Sequence, residues 1–260
     1  MKSIVLDPDQ RRVRQSFRRG LASYHDNAEA QASIAQELVS ALETHITTPV
    51  KRAFEFGCGT GHLTAALRGR TAIDWMLAND LVPECGNAVR DTVDAFVAGP
   101  IETLSIPTEL NLICSASTVQ WIPDQTQLLQ RLSDHLAPGG MLALSGFGTA
   151  QFHELQALGS SAAAPGYCNA EDWAAKVPAS LDILHLVQEP IVMWFDGALP
   201  LLKHLRKTGV NGQSREQWSR AKLTDFERRY AEQFGKDGKL PLTYDPVWMI
   251  ARKGYPKRDK

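Results

Sequence analysis

The chain has 260 residues, 43% of them hydrophobic, enough for one substantial core in a single domain spanning residues 1–260. With 28 Lys and Arg against 29 Asp and Glu, the formal net charge is -1, and bulk electrostatics give no sign of a nucleic-acid binder. No apolar run approaches the ~20 residues of a membrane span, and the N-terminus MKSIVLDPDQRR has no signal-peptide h-region. Cys58, Cys85, Cys114 and Cys168 form no C-x-x-C pair and the seven histidines no H-E-x-x-H, so the expectation is a reduced, cytoplasmic monomer without a metal or membrane partner.

In chain order, Arg11 to Leu42 reads as helix, with Ala22, Ala28, Ala32, Ala35, Leu38, Val39 and Leu42 at helical spacings. Residues 11–45 are expected to form a helical lid over the site. The run RRVRQSFRR, with Arg11, Arg12, Arg14, Arg18 and Arg19, is the densest basic stretch. From Ala53 the pattern alternates strand and helix, with strands expected at Ala53 to Phe56, Ile73 to Asn79, Ala95 to Val97, Leu110 to Ser115 and Met141 to Leu144. Pro138-Gly139-Gly140 is the breaker before the fifth strand. Leu181 to Phe195 and Leu242 to Arg252 read as two further strands. The expected fold is therefore α/β, a doubly wound, mainly parallel seven-stranded sheet. Residues 196–239 carry helical patterns and are expected to form a cap at the C-terminal ends of the strands.

The most informative stretch is AFEFGCGTG, Ala53 to Gly61. An apolar strand ends in Gly57, Gly59 and Gly61, where the absence of Cβ atoms lets a ligand approach the main chain, and a helix follows whose amides face that ligand. A dinucleotide fingerprint reads G-x-G-x-x-G and a P-loop ends in G-K-[ST]. Here the third glycine comes one place early and no lysine follows, which disfavours a nicotinamide oxidoreductase. About 20 residues on, Asp80 stands where an acid at the end of the second strand bonds ribose hydroxyls; the alternative is an Asp that caps the next helix. Leu81 offers an apolar surface to a base.

G-x-G-x-G after a strand resembles motif I of the class I methyltransferases, whose cofactor is S-adenosylmethionine and whose product is S-adenosylhomocysteine, with Glu55 at the position of their strand acid. The resemblance implies that the cofactor is held by Gly57, Cys58, Gly59, Gly61, Asp80 and Leu81, with Ser115 near its methyl-bearing end. Those enzymes usually have G-D after the third strand, the Asp accepting from the adenine amino group. Here Pro100 takes that place, leaving the Ile101 backbone and Glu102 to substitute. Asn111 also replaces their usual Asp at the start of the fourth strand.

More narrowly, FRRGLASYHDNAEAQ with Arg19, Tyr24 and Gln31, the triplet Val119-Gln120-Trp121, and the L-[KR]-x-x-G segment ending at Gly209 look like the malonyl-acyl-carrier-protein O-methyltransferases of biotin synthesis. That family methylates the free carboxyl of a malonyl group on an acyl-carrier protein so that it can prime pimeloyl synthesis. The resemblance implies that Tyr24 is a lid residue near the reacting groups, that Trp121 walls the transfer pocket, and that Gln120 orients the substrate. It makes Arg206, where the family has lysine, and Arg19 candidates to neutralise the malonyl carboxylate. A carboxylate is already ionised near neutrality and needs no general base, in keeping with the lack of a nucleophile-base constellation. A carboxyl methyltransferase for a free acid such as trans-aconitate and a non-catalytic S-adenosylmethionine-binding protein are the alternatives.

Overall fold

The chain was analysed as a computed structural model, which describes residues 6–24, 28–160, 163–208 and 219–255, with only the backbone of residues 22–24. Its N-terminal region forms two helices, α1 (Pro8–Tyr24) and α2 (Glu29–Glu43), where one helical stretch was expected. The first is set by a reciprocal cap. Asp7 Oδ1 accepts from the Gln10 amide at 2.8 Å, Gln10 Oε1 accepts from the Asp7 amide at 3.1 Å, and Pro8 takes the first helical position, where no N–H is needed.

The alternating part follows as β1 (Val50–Phe56), α3 (His62–Arg70), β2 (Ile73–Asp80), α4 (Cys85–Val89), β3 (Ala95–Ala98) and β4 (Leu110–Ser115). A 3-10 turn at Val119–Trp121 leads into α5 (Gln125–His135) and β5 (Leu136–Phe147). Next come α6 (His153–Ala157), α7 (Ala170–Lys176), β6 (Leu181–Gln188), β7 (Ile191–Phe195), α8 (Ala198–Lys207), α9 (Arg220–Phe234), β8 (Leu240–Tyr244) and β9 (Pro246–Lys253).

Seven strands form one sheet in the order β3-β2-β1-β4-β5-β9-β6. The first five pair parallel, and β9 runs antiparallel to both β5 and β6. Side chains alternate between two cores, as a sheet covered on both faces requires. Ala53, Leu112, Ala143 and Ile250 face one core with α2 and α3, while Phe54, Ile113, Leu142 and Met249 face the other with α5 and α7. The Trp248 indole N–H donates to Ile34 O at 3.0 Å and ties the sheet to α2.

The C-terminal apolar runs differ from expectation in one respect. Leu181 to Phe195 and Leu242 to Arg252 are each divided between the main sheet and a separate two-stranded ribbon, β7 with β8. The dividing point is Asp245, which is buried. Its carboxylate accepts from Gln188 Nε2 and the Ala150 amide at 3.0 Å, and its own amide donates to Gln151 Oε1 at 2.8 Å. These side-chain bonds satisfy the buried backbone in place of a continuous ladder. Pro190, lacking an N–H, marks the break on the other strand. The fifth strand also begins earlier than expected and passes through Pro138-Gly139-Gly140, with Gly139 at φ 76° and the register shifting between Leu110 and Leu112.

Within residues 196–239, α8 contributes Ala198, Leu201 and Leu205, and α9 contributes Tyr230, to the same core as α2 and α3. The described part of that segment enlarges one face of the sheet. Its described residues do not line the cavity described next.

Candidate active site

A cavity of about 630 Å³ lies beyond the C-terminal ends of β1, β2 and β4, where the strand order reverses and open α/β sheets bind ligands. Its floor is the glycine turn. Gly57, Gly59 and Gly61 take φ values of 66°, 53° and 87°, the left-handed region that glycine occupies without strain. A Cβ on Gly57 would stand 2.2 Å from Thr118 Oγ1, whereas one on Gly59 would meet no protein atom within 4 Å. The first glycine is thus needed for packing the turn after β1 against the loop after β4; the second leaves open space for a ligand. Gly61 is the N-cap residue of α3 and does not line the cavity.

Two buried carboxylates hold this turn. Glu55 Oε2 accepts from the Thr64 hydroxyl at 2.7 Å, fixing β1 to α3. Burial pushes the Glu55 carboxyl up to about 7; the Thr64 bond works against that rise and the Asp80 charge adds to it. Asp80 Oδ2 accepts from the Gly59 amide at 2.9 Å and Oδ1 from the Val82 amide at 2.8 Å. Burial raises the Asp80 carboxyl and these backbone bonds draw it back. The Cys85 thiol and the Leu81 backbone also bond this carboxylate, so Asp80 braces the turn while lining the cavity. Cys58 lies beneath the turn, with its thiol pushed well up by burial. It is not at the cavity surface.

The wall toward β3 is made by Leu81, Gly99, Pro100, Ile101 and Glu102. The buried Asn79, which sequence reading missed, donates from Nδ2 to Val97 O at 2.9 Å and Gly99 O at 3.0 Å, and the Gly99 amide donates to Asp80 O at 2.9 Å. Pro100 O accepts from the Thr103 and Leu104 amides, and the Arg131 guanidinium donates to Ile101 O and Leu104 O. The turn bearing Glu102 is therefore fixed from both sides.

The opposite wall comes from the loop after β4. Trp121 lines the cavity and meets Phe17 edge-on, ring centroids 5.5 Å apart. Gln120 does not line it: Nε2 donates to Ser117 O at 2.7 Å and the Gln120 backbone O accepts from the Gly166 amide at 2.8 Å, so it braces the loop from behind. Ser115 is likewise buried, its hydroxyl donating to Phe56 O at 2.7 Å, and Ser117 and Thr118 line the cavity instead.

The remaining side is α1. Val13, Phe17 and Leu21 line the cavity at i, i+4 and i+8, joined by Gln10 and Arg14, a stripe legible in the sequence as one helical face. Arg14 is half-buried and has no ion pair or side-chain hydrogen bond among the described residues. The candidates Arg19 and Arg206 are not brought to the cavity. Arg19 is exposed, its Nε donating to Gln15 O at 3.2 Å, and Arg206 is exposed on α8. Tyr24 ends α1, and its side chain and Gly209 lie outside the described residues.

A family model described as a methyltransferase domain matches residues 26–188. A malonyl-[acyl-carrier protein] O-methyltransferase of Bacteroides thetaiotaomicron is 31% identical over 93% of this chain and 97% of the relative. The protein of the same name from Acinetobacter baylyi is 34% identical over 93% and 96%. The chain belongs to the malonyl-[acyl-carrier protein] O-methyltransferase family. Among solved structures, the Bacillus subtilis YcgJ protein is similar at a TM-score of 0.58 and 12% identity, covering 84% of this chain and 98% of that one. The N-methyltransferase NodS of Bradyrhizobium japonicum, solved with S-adenosyl-L-homocysteine, gives 0.53 and 18% over 93% and 98%. At those identities the likeness concerns the fold.

S-adenosylmethionine is the methyl donor of this family member, and the residues present fit it. A carboxylate lines the cavity beside a glycine turn whose middle residue has open space in front of it. Gly57, Gly59, Asp80 and Leu81 are the residues that would hold the donor's nucleoside and backbone-facing parts.

Proposed function

We propose that this protein transfers a methyl group from S-adenosylmethionine to the free carboxylate of a malonyl group on an acyl-carrier protein, giving the methyl ester that primes pimeloyl synthesis for biotin. The observation that carries this reading is the near full-length match to relatives of that name, joined to a cavity floored by the glycine turn and Asp80. When bound, the cofactor supplies a methyl on positively charged sulfur, and passing it to a carboxylate moves no proton. The protein's tasks are then to bind, align and exclude water.

The cavity suits those tasks. Its described lining includes no histidine or lysine, and Asp80 is occupied in holding the turn. Trp121 and Phe17 supply apolar walls, and Arg14, half-buried and lining the cavity as Arg12 does, is a cation for an acceptor carboxylate. Around the cavity α1 carries exposed Arg11 and Arg19, Arg12 at the cavity itself and Arg18 paired with Glu84, a basic surface that suits an acidic carrier protein. The relatives favour the carrier-bound acceptor over a free acid and over a protein without turnover. The test is to offer labelled S-adenosylmethionine with malonyl carrier protein, malonyl-coenzyme A or trans-aconitate and to ask which becomes an ester. Label in the malonyl carrier supports the proposal; label in trans-aconitate alone, or in none, overturns it.

A further inference from the structure

Gln10 of α1 donates from Nε2 to Glu102 Oε1 at 3.2 Å, across 92 residues of sequence. Both are half-buried and both line the cavity. The direction of this bond is fixed locally. Gln10 Oε1 is committed to the Asp7 amide in the cap of α1, so its NH2 end must face Glu102. The acceptor is fixed as well, because Arg131 grips Ile101 O and Leu104 O on either side of Glu102 and senses its charge. A carboxylate on a fixed turn thus meets an amide oriented by the helix cap, joining the start of α1 to the turn after β3.

That place is where the nucleoside's base must lie. Gly99, two residues before Ile101, is bonded to the backbone of Asp80; a ribose on the Asp80 carboxylate puts its base against residues 99–102. An adenine edge presents an amino group that donates and ring nitrogens that accept. Pro100 offers no N–H, the Ile101 and Leu104 carbonyls are taken by Arg131, and Glu102 keeps an oxygen that makes no hydrogen bond among the described residues. We propose that Glu102 accepts from the adenine amino group and that Gln10 holds it for that purpose, so that adenine recognition and the seating of α1 over the cavity are one event.

A second tie runs alongside, Arg18 Nε to Glu84 Oε1 at 2.7 Å, but it is exposed and so contributes little on its own. The Gln10–Glu102 bond is the one the ligand can reinforce: an adenine amino group on Glu102 rewards the arrangement that α1 also needs. A base with a 6-oxo group presents an acceptor to the same carboxylate and leaves both unsatisfied.

The experiment is binding of S-adenosylhomocysteine and S-inosylhomocysteine to the full chain, with limited trypsin cleavage at the α1 arginines as the second readout; no acceptor substrate is involved, so its outcome is independent of the carrier assignment. The wild type is expected to prefer the adenine ligand by at least about tenfold, as a charged hydrogen bond gives, and only that ligand should slow cleavage. Glu102→Gln should bring the ratio near one and abolish protection. Gln10→Glu, which keeps the cap but sets like charges together, should weaken S-adenosylhomocysteine at least about fivefold and abolish protection. A wild-type ratio in Glu102→Gln, or wild-type affinity and protection in Gln10→Glu, overturns the proposal.

Discussion

The Asp80 carboxylate accepts the Gly59 amide at 2.9 Å, joining the end of β2 to the glycine turn after β1. One buried acid therefore shapes the turn and also lines the cavity. Asp80→Asn turns an NH2 toward one of the two backbone amides now bonded to the carboxylate. An unsatisfied buried amide costs ~1–3 kcal/mol. Thermal unfolding should show this loss, and titration with S-adenosylhomocysteine should show at least about a tenfold weaker affinity. Wild-type binding in the Asn variant would mean that the ribose is held elsewhere.

Gly57 and Gly59 should respond differently to the same change. Both carry φ values near 60°, 66° and 53°, so alanine costs ~1–2 kcal/mol of backbone strain at each. At Gly57 the new methyl also meets Thr118 at 2.2 Å, so Gly57→Ala should lose clearly more stability in urea. Gly59→Ala should stay folded and lose cofactor binding, because its methyl enters space left for the ligand. Equal stability losses for the two variants would contradict this assignment.

The Glu55 carboxyl keeps its proton up to about pH 7 in the folded protein against 4.5 as an ordinary value. Its folded form is favoured fully below pH 4.5, and that advantage is lost as pH rises to about 7, on the order of 3 kcal/mol at most. Glu55→Gln cannot titrate. The melting temperature of this variant relative to wild type should rise steadily from pH 5 to pH 8, as checked by scanning calorimetry without cofactor. Parallel pH profiles would show that Glu55 is ionised throughout.

Arg12 and Arg14 lie on α1 at the cavity mouth. Reversing both charges, Arg12→Glu with Arg14→Glu, should raise KM for an acidic carrier substrate at least about tenfold at low salt, with the difference shrinking as ionic strength increases. An unchanged KM at low salt would remove α1 from the docking surface.

The fold and the glycine turn braced by Asp80 are legible because they depend on local rules: strand-helix alternation, glycine spacing and an acid at a strand end. Asp245 is not, since the apolar runs on either side of it continue unbroken and only tertiary bonds to Gln188, Ala150 and Gln151 reveal the division. Arg19 and Arg206 have the charge and the likeness to family residues, but which face of a helix meets the cavity decides contact. The stripe Val13, Phe17, Leu21 turns Gln10 and Arg14 inward and Arg19 outward. Packing through Leu201 and Leu205 leaves Arg206 exposed. The cap formed by Asp7 and Gln10 was readable as D-P-x-Q, yet nothing local pointed to Glu102 as its partner.

The most direct test of carboxyl methylation is intact-mass spectrometry of malonyl carrier protein and of acetyl carrier protein, each incubated with the enzyme and S-adenosylmethionine. The predicted result is one added methyl group on the malonyl arm, and no change in the acetyl form, which has no free carboxylate. A methyl on the acetyl form, or none on the malonyl form, would contradict it.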